Sequence, residues 1–469
     1  MAGKFPKNIL VSSVSVLTLV LTASTAMAAG FASRQQSSAG QGFSFAGAGT
    51  STFGLGSAFW NPANITNFEG RRSEYNFTIV DANTSITSDR LTNANGTLNF
   101  FGPPANVGRL DSGNLNQTTF TTASYNSYQV NNFLWVGLQT GAPFGSRTKP
   151  DAGFSGSVYG SSSTVRAVAA TPTIGIKLTD WLSFGAGVTI QQLNVSVKSG
   201  DPRFAALGAA GAGLASIVDI RGDSYGVGFT AGVTLKPFQG TEIALGFRSS
   251  INHKLEGEFI IGRPLAALNP AVSERLIKAS VNLPEIATFG ISQQLNDKWT
   301  LTGTVQWTNW SRLNVVPVTS RVTGAPLTGL GFRYRDEYFF AGGAQYALND
   351  QWKLRGGVAY ERSPITDETR GVRIADNDRI WLSGGVGYKF NEKLDFDLSY
   401  SHLFLKNGRV DIVGPGNGLN PAGNPAFNGA VQFNGRSRGQ VDIISAALKY
   451  RFDDPAPAPV AAAPLIKKF

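Results

Sequence analysis

Side chains equipped for covalent or redox chemistry are scarce in this chain of 469 residues, which holds two histidines, His253 and His402, and no cysteine. A Ser-His hydrolase needs a hydroxyl within reach of an imidazole. His402 stands beside Ser401 and Ser399, and His253 follows Ser249 and Ser250, but neither group sits in a nucleophile motif. A lipase or esterase is therefore the enzymatic rival, with no motif behind it, and the chain is read as a non-enzyme. Two imidazoles and no thiolate also argue against a zinc site or a Cys nucleophile, so neither metal nor cofactor is expected. What remains are cations. Lys and Arg number 41 against 31 Asp and Glu, a net charge of +10. No basic helix or aromatic-basic module accompanies them, which argues against nucleic acid. Basic side chains facing an anionic outer leaflet or an anionic substrate account for the charge better.

A repeated phrase shows what must position these residues. Leu178-Thr179-Asp180-Trp181, Leu295-Asn296-Asp297-Lys298-Trp299, Leu348-Asn349-Asp350-Gln351-Trp352 and Phe390-Asn391-Glu392-Lys393-Leu394 are polar turns between large apolar residues. Asn and Asp suit tight turns because their side chains bond the nearby backbone. Each turn joins segments of period two. Trp299, Leu301, Gly303, Val305 and Trp307 share one face, and Lys298, Thr300, Thr302, Thr304 and Gln306 the other. From Ile380 to Phe390 the same alternation holds with Trp381 as the exception. A soluble sandwich alternates likewise. Aromatic residues at the turn edges, the abundant Gly and an export signal favour a transmembrane antiparallel β-barrel, apolar outside and polar within.

Lys4 and Lys7 precede an apolar run from Ile9 to Leu21, and Ala26-Met27-Ala28 fits a cleavage site, so residues 1–28 read as a signal peptide. Beyond it no stretch approaches the ~20 apolar residues of a membrane helix. The mean hydropathy of −0.06 suits a barrel, whose strands are half polar. Residues 29–70 are Gly-, Ser- and Ala-rich and keep Phe43, Phe45, Phe53, Leu55, Phe59 and Trp60. A solvated leader would not retain so many aromatics, so this segment is expected to plug the lumen as a hatch. Residues 71–452 hold about fourteen strand-like runs, and residues 453–469 form a Pro/Ala tail expected in the periplasm. Two long insertions fall on the side opposite the short turns. Residues 201–219 carry Phe204, Leu207 and Leu214, and residues 264–279 carry Leu268, Val272 and Leu276 at helical spacing. Apolar segments there need a ligand or a partner surface.

Ordered matches along the chain now point to a family. Asn61-Pro62-Ala63 after a Gly-rich leader resembles the hatch motif of the FadL family of outer-membrane transporters for long-chain fatty acids. Pro143-Phe144-Gly145, Gly246-Phe247-Arg248, Leu283-Pro284-Glu285, Gln306-Trp307-Thr308-Asn309-Trp310 and Asp376-Asn377-Asp378-Arg379 continue the resemblance in family order. It implies a monomeric barrel of fourteen strands in the outer membrane of a Gram-negative bacterium. It also implies passive uptake of hydrophobic molecules, most readily long-chain fatty acids, with aromatic hydrocarbons as the alternative within the family. A hydrophilic diffusion porin is the rival channel, and it would have no apolar hatch.

By the resemblance, substrate is captured on the two apolar insertions, passes to an inner pocket and leaves sideways through the wall. Arg335 falls on a family position for binding a carboxylate, a second falls near Lys198, and Arg203 is an alternative; the family's serine partner falls near Ala142. The exit also has support in the residues themselves. Gly141, Pro143 and Gly145 combine a missing N–H with two flexible neighbours, and proline in a closed wall is confined to bulges or breaks. Asn61, Pro62 and Ala63 are expected to lie close to that gap.

Overall fold

The computed structural model describes residues 30–92, 109–199, 218–261, 274–413 and 432–453. Nineteen strand segments join edge to edge, every pairing antiparallel, and the first, Arg71–Thr92, pairs with the last, Gln432–Arg451. Five wall strands are broken into two segments each, for example Thr241–Arg248 with Ile251–Ile261, which leaves fourteen strands around a closed barrel. Closure removes the unpaired edges that hydrocarbon does not tolerate.

The short turns form as their residues dictate. Asn131, Asn296, Asn349 and Asn391 each accept, through Oδ1, the backbone N–H groups two and three residues on, at 2.8–3.0 Å. Aromatic pairs sit beside them, Trp299 on Tyr346 at 4.8 Å and Trp352 on Tyr388 at 4.4 Å. In Trp299–Thr308 the apolar Trp299, Leu301 and Val305 are exposed on the outer face, while Thr302, Thr304 and Gln306 are buried within. Trp381 breaks the pattern because its indole is part of the interior: it is fully buried and its Nε1 donates to Glu361 at 2.8 Å.

The barrel begins at Arg71, and the described residues before it fill the lumen. Ser37 caps a short helix, Ser38–Gly42, and two 3-10 turns follow, Ser51–Phe59 and Pro62–Asn67. Asn61 opens the last of these by accepting the Ala63 N–H at 3.1 Å, and Pro62 stands where a helix start needs no donor. Phe43, Phe45, Phe53 and Trp60 pack on one another and reach Trp381 and Phe339 of the wall. Fully burying each such ring is worth roughly 1.5–3 kcal/mol. The stretches 1–29 and 454–469, with the signal peptide and most of the tail, lie outside the described residues.

Wall glycines let this plug sit close. A Cβ on Gly246, Gly290 or Gly357 would collide with the carbonyl oxygen of Trp60, Ala48 or Phe43 respectively. The hatch therefore docks backbone against backbone. Replacing Gly357 with Leu should push the hatch away from the wall and raise single-channel conductance in planar bilayers. Gly356, one residue along on the exposed face, has nothing within 4 Å of its Cβ position, so Gly356→Leu should leave conductance unchanged. Equal conductance for both variants would show that the plug is not held through this contact.

Candidate functional site

Above the hatch, toward the side of the long insertions, the lumen turns from polar to apolar. Strand residues Leu193, Leu255, Leu283 and Val316 line a cavity there with Leu313, and Phe31 of the hatch reaches into it. About 120 Å³ accepts the centre of a water-sized sphere, inside some 1270 Å³ of atom-free space that runs out through an open mouth.

Three charged side chains touch this cavity. Arg221 pairs with Asp219 at 2.6 Å and Glu256 with Arg321 at 3.0 Å. Arg373 differs. Among the described residues no acceptor takes a hydrogen bond from its guanidinium, and its Nε is buried without a partner. Its own carbonyl is tied down by Thr148 Oγ1 at 2.8 Å, and its stem packs over Gly160. The residue is half-buried and lines the cavity. Burial pushes its pKa down to about 10, with no acid among the described residues to oppose the shift, so it remains a cation at neutral pH.

The residues expected to bind a carboxylate do other work. Lys198 pairs with Asp219 at 3.3 Å. Arg335 donates to Ser363 O at 2.9 Å and to Asp378 at 3.2 Å. Neither lines the cavity, and each has an acid within reach. The helical spacing at 264–279 is also overridden. Its described part belongs to strand Glu274–Leu283, where Ile277 and Ala279 line the cavity and Leu276 is exposed on the outer face. Pairing with Ile251–Ile261 supplies a ladder that imposes period two. Arg203, Phe204, Leu207, Leu214, Leu268 and Val272 lie outside the described residues. Sequence reasoning missed Arg373. The available signal was a cation in Gly371-Val372-Arg373-Ile374-Ala375, apolar on both sides within an otherwise polar loop.

The wall breaks beside the cavity. Thr119–Gln129 and Leu134–Thr148 pair as far as Ser124 with Thr140 and then part. On the other side of Leu134–Thr148 the register slips between Gly141 and Phe144, leaving Ala142 and Pro143 without ladder partners. The hatch fills the vacancy. Ser33 N–H donates to Pro143 O at 2.8 Å, Gly145 N–H donates to Phe31 O at 2.7 Å, and Ala32 bridges Phe144 antiparallel. Gln36 Nε2 adds a bond to Ala142 O at 3.0 Å. Phe31, Phe144 and Trp310 form an aromatic trio with centroids 4.8–6.2 Å apart. Through Phe31 the same trio touches the cavity.

Asn61, Pro62 and Ala63 are not at the break. Asn61 Nδ2 donates to Val233 O at 3.1 Å and Thr234 Oγ1 at 2.9 Å, on strand Val218–Leu235. Bare Gly185, Gly232 and Gly246 admit the motif there, whereas the break is met by Phe31 to Gln36.

Buried charges hold the hatch segment that covers the break. Arg34 stacks on Phe339 at 3.8 Å and donates to Glu337 at 2.7 Å, Glu361 at 3.2 Å and Gln306 at 2.9 Å. Trp310 and Trp381 donate their indole N–H groups to Glu337 and Glu361, both at 2.8 Å. Arg379 lies 3.6 Å from Glu361 and also pairs with Asp376, which accepts the Gly30 N–H at 3.0 Å. The histidines build no hydrolase. Ser399 and Ser401 are buried toward the lumen while His402 turns outward to Asp442, and His253 bridges Ser224 and Gln191.

Comparison with known proteins places this geometry. Residues 19–452 match the model of a family described as outer membrane protein transport protein (OMPP1/FadL/TodX). The long-chain fatty acid transport protein of Escherichia coli O157:H7 is 23% identical over 436 residues, covering 86% of this chain and 94% of that protein. A crystal structure of a Pseudomonas aeruginosa FadL homologue superposes with a TM-score of 0.79 at 24% identity, covering 91% of this chain and 100% of the other. The P. putida toluene transporter TodX superposes at 0.61 with 16% identity, covering 89% and 99%.

The charge cluster makes a direct prediction. Arg34→Leu leaves Glu337 and Glu361 buried without their shared cation, a loss of about 3–5 kcal/mol for such a pair. Hydrogen exchange at residues 31–36 should speed up at least tenfold, while the wall strand Trp352–Arg362 stays protected. Unchanged exchange at 31–36 would remove the cluster from any role in holding the hatch.

Proposed function

This chain belongs to the outer membrane protein transport protein family (OMPP1/FadL/TodX), and from that premise we propose that its cargo is a long-chain fatty acid, held by the cavity with its carboxylate on Arg373. Members of the family are transport channels of the Gram-negative outer membrane for hydrophobic molecules, and this protein is such a channel. One observation supports a fatty acid over a hydrocarbon: a guanidinium at the wall of an apolar cavity that has no acceptor among the described residues. A carboxylate can take a charge-assisted, two-pronged contact from it. A hydrocarbon of the kind carried by the toluene transporters offers no acceptor and would leave the cation unpaired.

The exit route is read from the broken strand. An acyl chain lodged against Phe31 displaces it from the trio with Phe144 and Trp310, and the hatch segment leaves the break. The opening between Ala123 and Gly141 at one end and the Asn116–Thr148 bridge at the other then faces lipid. Affinity and geometry suffice for this passage, and no residue need act as a catalyst. Every wall strand finds its neighbours within the one chain, which supports a monomer surrounded by outer-membrane lipid.

Two experiments test the reading. Arg373→Met should weaken fatty acid binding roughly tenfold to a hundredfold, the worth of one hydrogen bond to a charged group, while toluene binding stays level or improves. Equal losses for both ligands would mean that Arg373 is structural, and tighter toluene than fatty acid binding by the wild type would favour the aromatic reading. For the exit, Ala32→Cys with Phe144→Cys places two thiols at a direct antiparallel pair, within disulfide reach, in a chain without native cysteine. Uptake should stop on oxidation and return on reduction. Uptake that survives complete crosslinking would send the substrate out through the periplasmic mouth.

A further inference from the structure

The wall has a further seam, on strands remote from the exit break. Glu274–Leu283 and Val315–Ser320 pair down to Ala279 with Val318, and the ladder resumes below only at Ile286 with Thr308. Six residues on one side, 280–285, stand against nine on the other, 309–317. A 3-10 turn, Trp310–Arg312, takes up the excess. Val281 and Leu283 form one lip of the seam and Leu313 and Val316 the other, and all four line the apolar cavity. The cavity thus lies directly behind a stretch of wall that no ladder closes. Side chains hold the lips together instead. Arg312 donates from Nε to Glu285 Oε2 at 2.7 Å and from a terminal nitrogen to Oε1 at 2.6 Å. Asn309 Nδ2 donates to the same Oε1 at 2.7 Å, and the Asn309 N–H to Glu285 O at 3.0 Å. The Arg312 side chain is 40% exposed and that of Glu285 12%.

The level of this latch in the membrane is also fixed. Ser311, the residue before Arg312, donates its N–H to Asp336 at 3.1 Å, and Asp336 accepts the indole N–H of the outward-facing Trp307 at 2.9 Å. Trp307 stands eight residues along the strand from Trp299 in the aromatic pair beside the short turns. At ~3.3 Å per residue and a tilt of roughly 40°, that is about 20 Å, close to the top of an apolar belt roughly 25 Å tall. The seam therefore opens at the headgroup level of the outer leaflet, where water can bond backbone that has no ladder partner. An anionic amphiphile dissolved in that leaflet holds its carboxylate at the same level. Trp310, the first residue of the turn, packs inward on Phe31 and Phe144, so the turn also touches the exit trio.

We propose that this seam is a side entrance for a fatty acid dissolved in the outer leaflet, opened when the arriving carboxylate replaces Glu285 on the Arg312 fork. A guanidinium binds either carboxylate in the same two-pronged way, so the cation stays paired throughout and Glu285 keeps Asn309. The inference rests on the cavity being a fatty acid site. The double variant E285C/N309C puts a disulfide in place of the latch, since these side chains already meet and the chain has no native cysteine. The probe is stearic acid with a diazirine at its tail, flashed at intervals, and its attachment to Leu193 and Leu255 in the cavity is read by mass spectrometry. In lipid nanodiscs with the probe supplied in the bilayer, oxidised full-length protein should load at least tenfold more slowly than reduced. E285Q, which loosens the latch and leaves Arg312 to the probe, should load at least threefold faster than wild type. In amphipol, without a bilayer, oxidation should leave the rate unchanged, and final occupancy should be equal in every state. Heat-modifiable migration verifies each barrel, and if the double variant does not assemble, E285Q alone decides, with an unchanged rate in nanodiscs overturning the entrance. Equal rates for oxidised and reduced protein in nanodiscs also overturn it. So does an equal slowing in amphipol, because the disulfide would then act on the cavity itself. If no state loads the cavity, wild type included, the fatty acid reading fails and the entrance falls with it.

Discussion

A backbone in hydrocarbon has no water to bond, so every N–H and C=O of the wall must find a partner within the protein. That constraint explains the closure of Arg71–Thr92 on Gln432–Arg451 and the regular ladders between. It also gives meaning to the break beside the cavity where Thr119–Gln129 and Leu134–Thr148 part. Past Thr140 the strand bearing Pro143 lacks a wall neighbour on one side, and the hatch supplies the missing bonds at Phe31 and Ser33. The plug therefore does more than fill space: over a short stretch it is a strand of the wall.

Lumen chemistry divides along the same line. Below, the hatch rests on bare glycines and polar wall residues, and its buried arginine is matched by two glutamates whose other oxygens are held by indoles. Above, the wall is aliphatic, and among the described residues the one cation at the cavity without an acid beside it is Arg373. Phe31 belongs to both regions. It lines the cavity with its ring and closes the wall with its carbonyl. A change in the cavity can reach the break through that residue without any long chain of intermediates.

Much of the architecture was legible because it follows from period and turn chemistry, which are local. Alternation in Trp299–Thr308 and the Asn side chains of the turns specify strand, face and connection with no knowledge of the rest of the chain. Gly141-Ala142-Pro143 was readable for the same reason, since a missing donor is a property of one residue. The proposed binding residue was not. Whether Lys198, Arg335 or Arg373 is free for a ligand depends on which acids lie near it in space, and Asp219 and Asp378 occupy the first two. Leu276 shows the same limit, since helical spacing in a short apolar run gives way when a neighbouring strand offers a ladder. The placement of Asn61 depended on which wall glycines are bare, and that is known only once Gly185, Gly232 and Gly246 are seen side by side.

Because residues 31–33 serve as a wall strand, the hatch is a pseudo-edge that competes with vacancy. When it leaves, the Gly145 N–H and the Pro143 carbonyl lose their partners in the wall of a membrane protein, where each unsatisfied group costs several kcal/mol. The open wall is consequently a high-energy, self-closing state, populated only while something occupies the breach or the hatch is held away. On the proposed lateral route, leak-tightness and turnover then share these two hydrogen bonds among the contacts that hold the hatch. A sequence change that strengthens the seal must slow the flux, and one that eases the flux must admit more leakage.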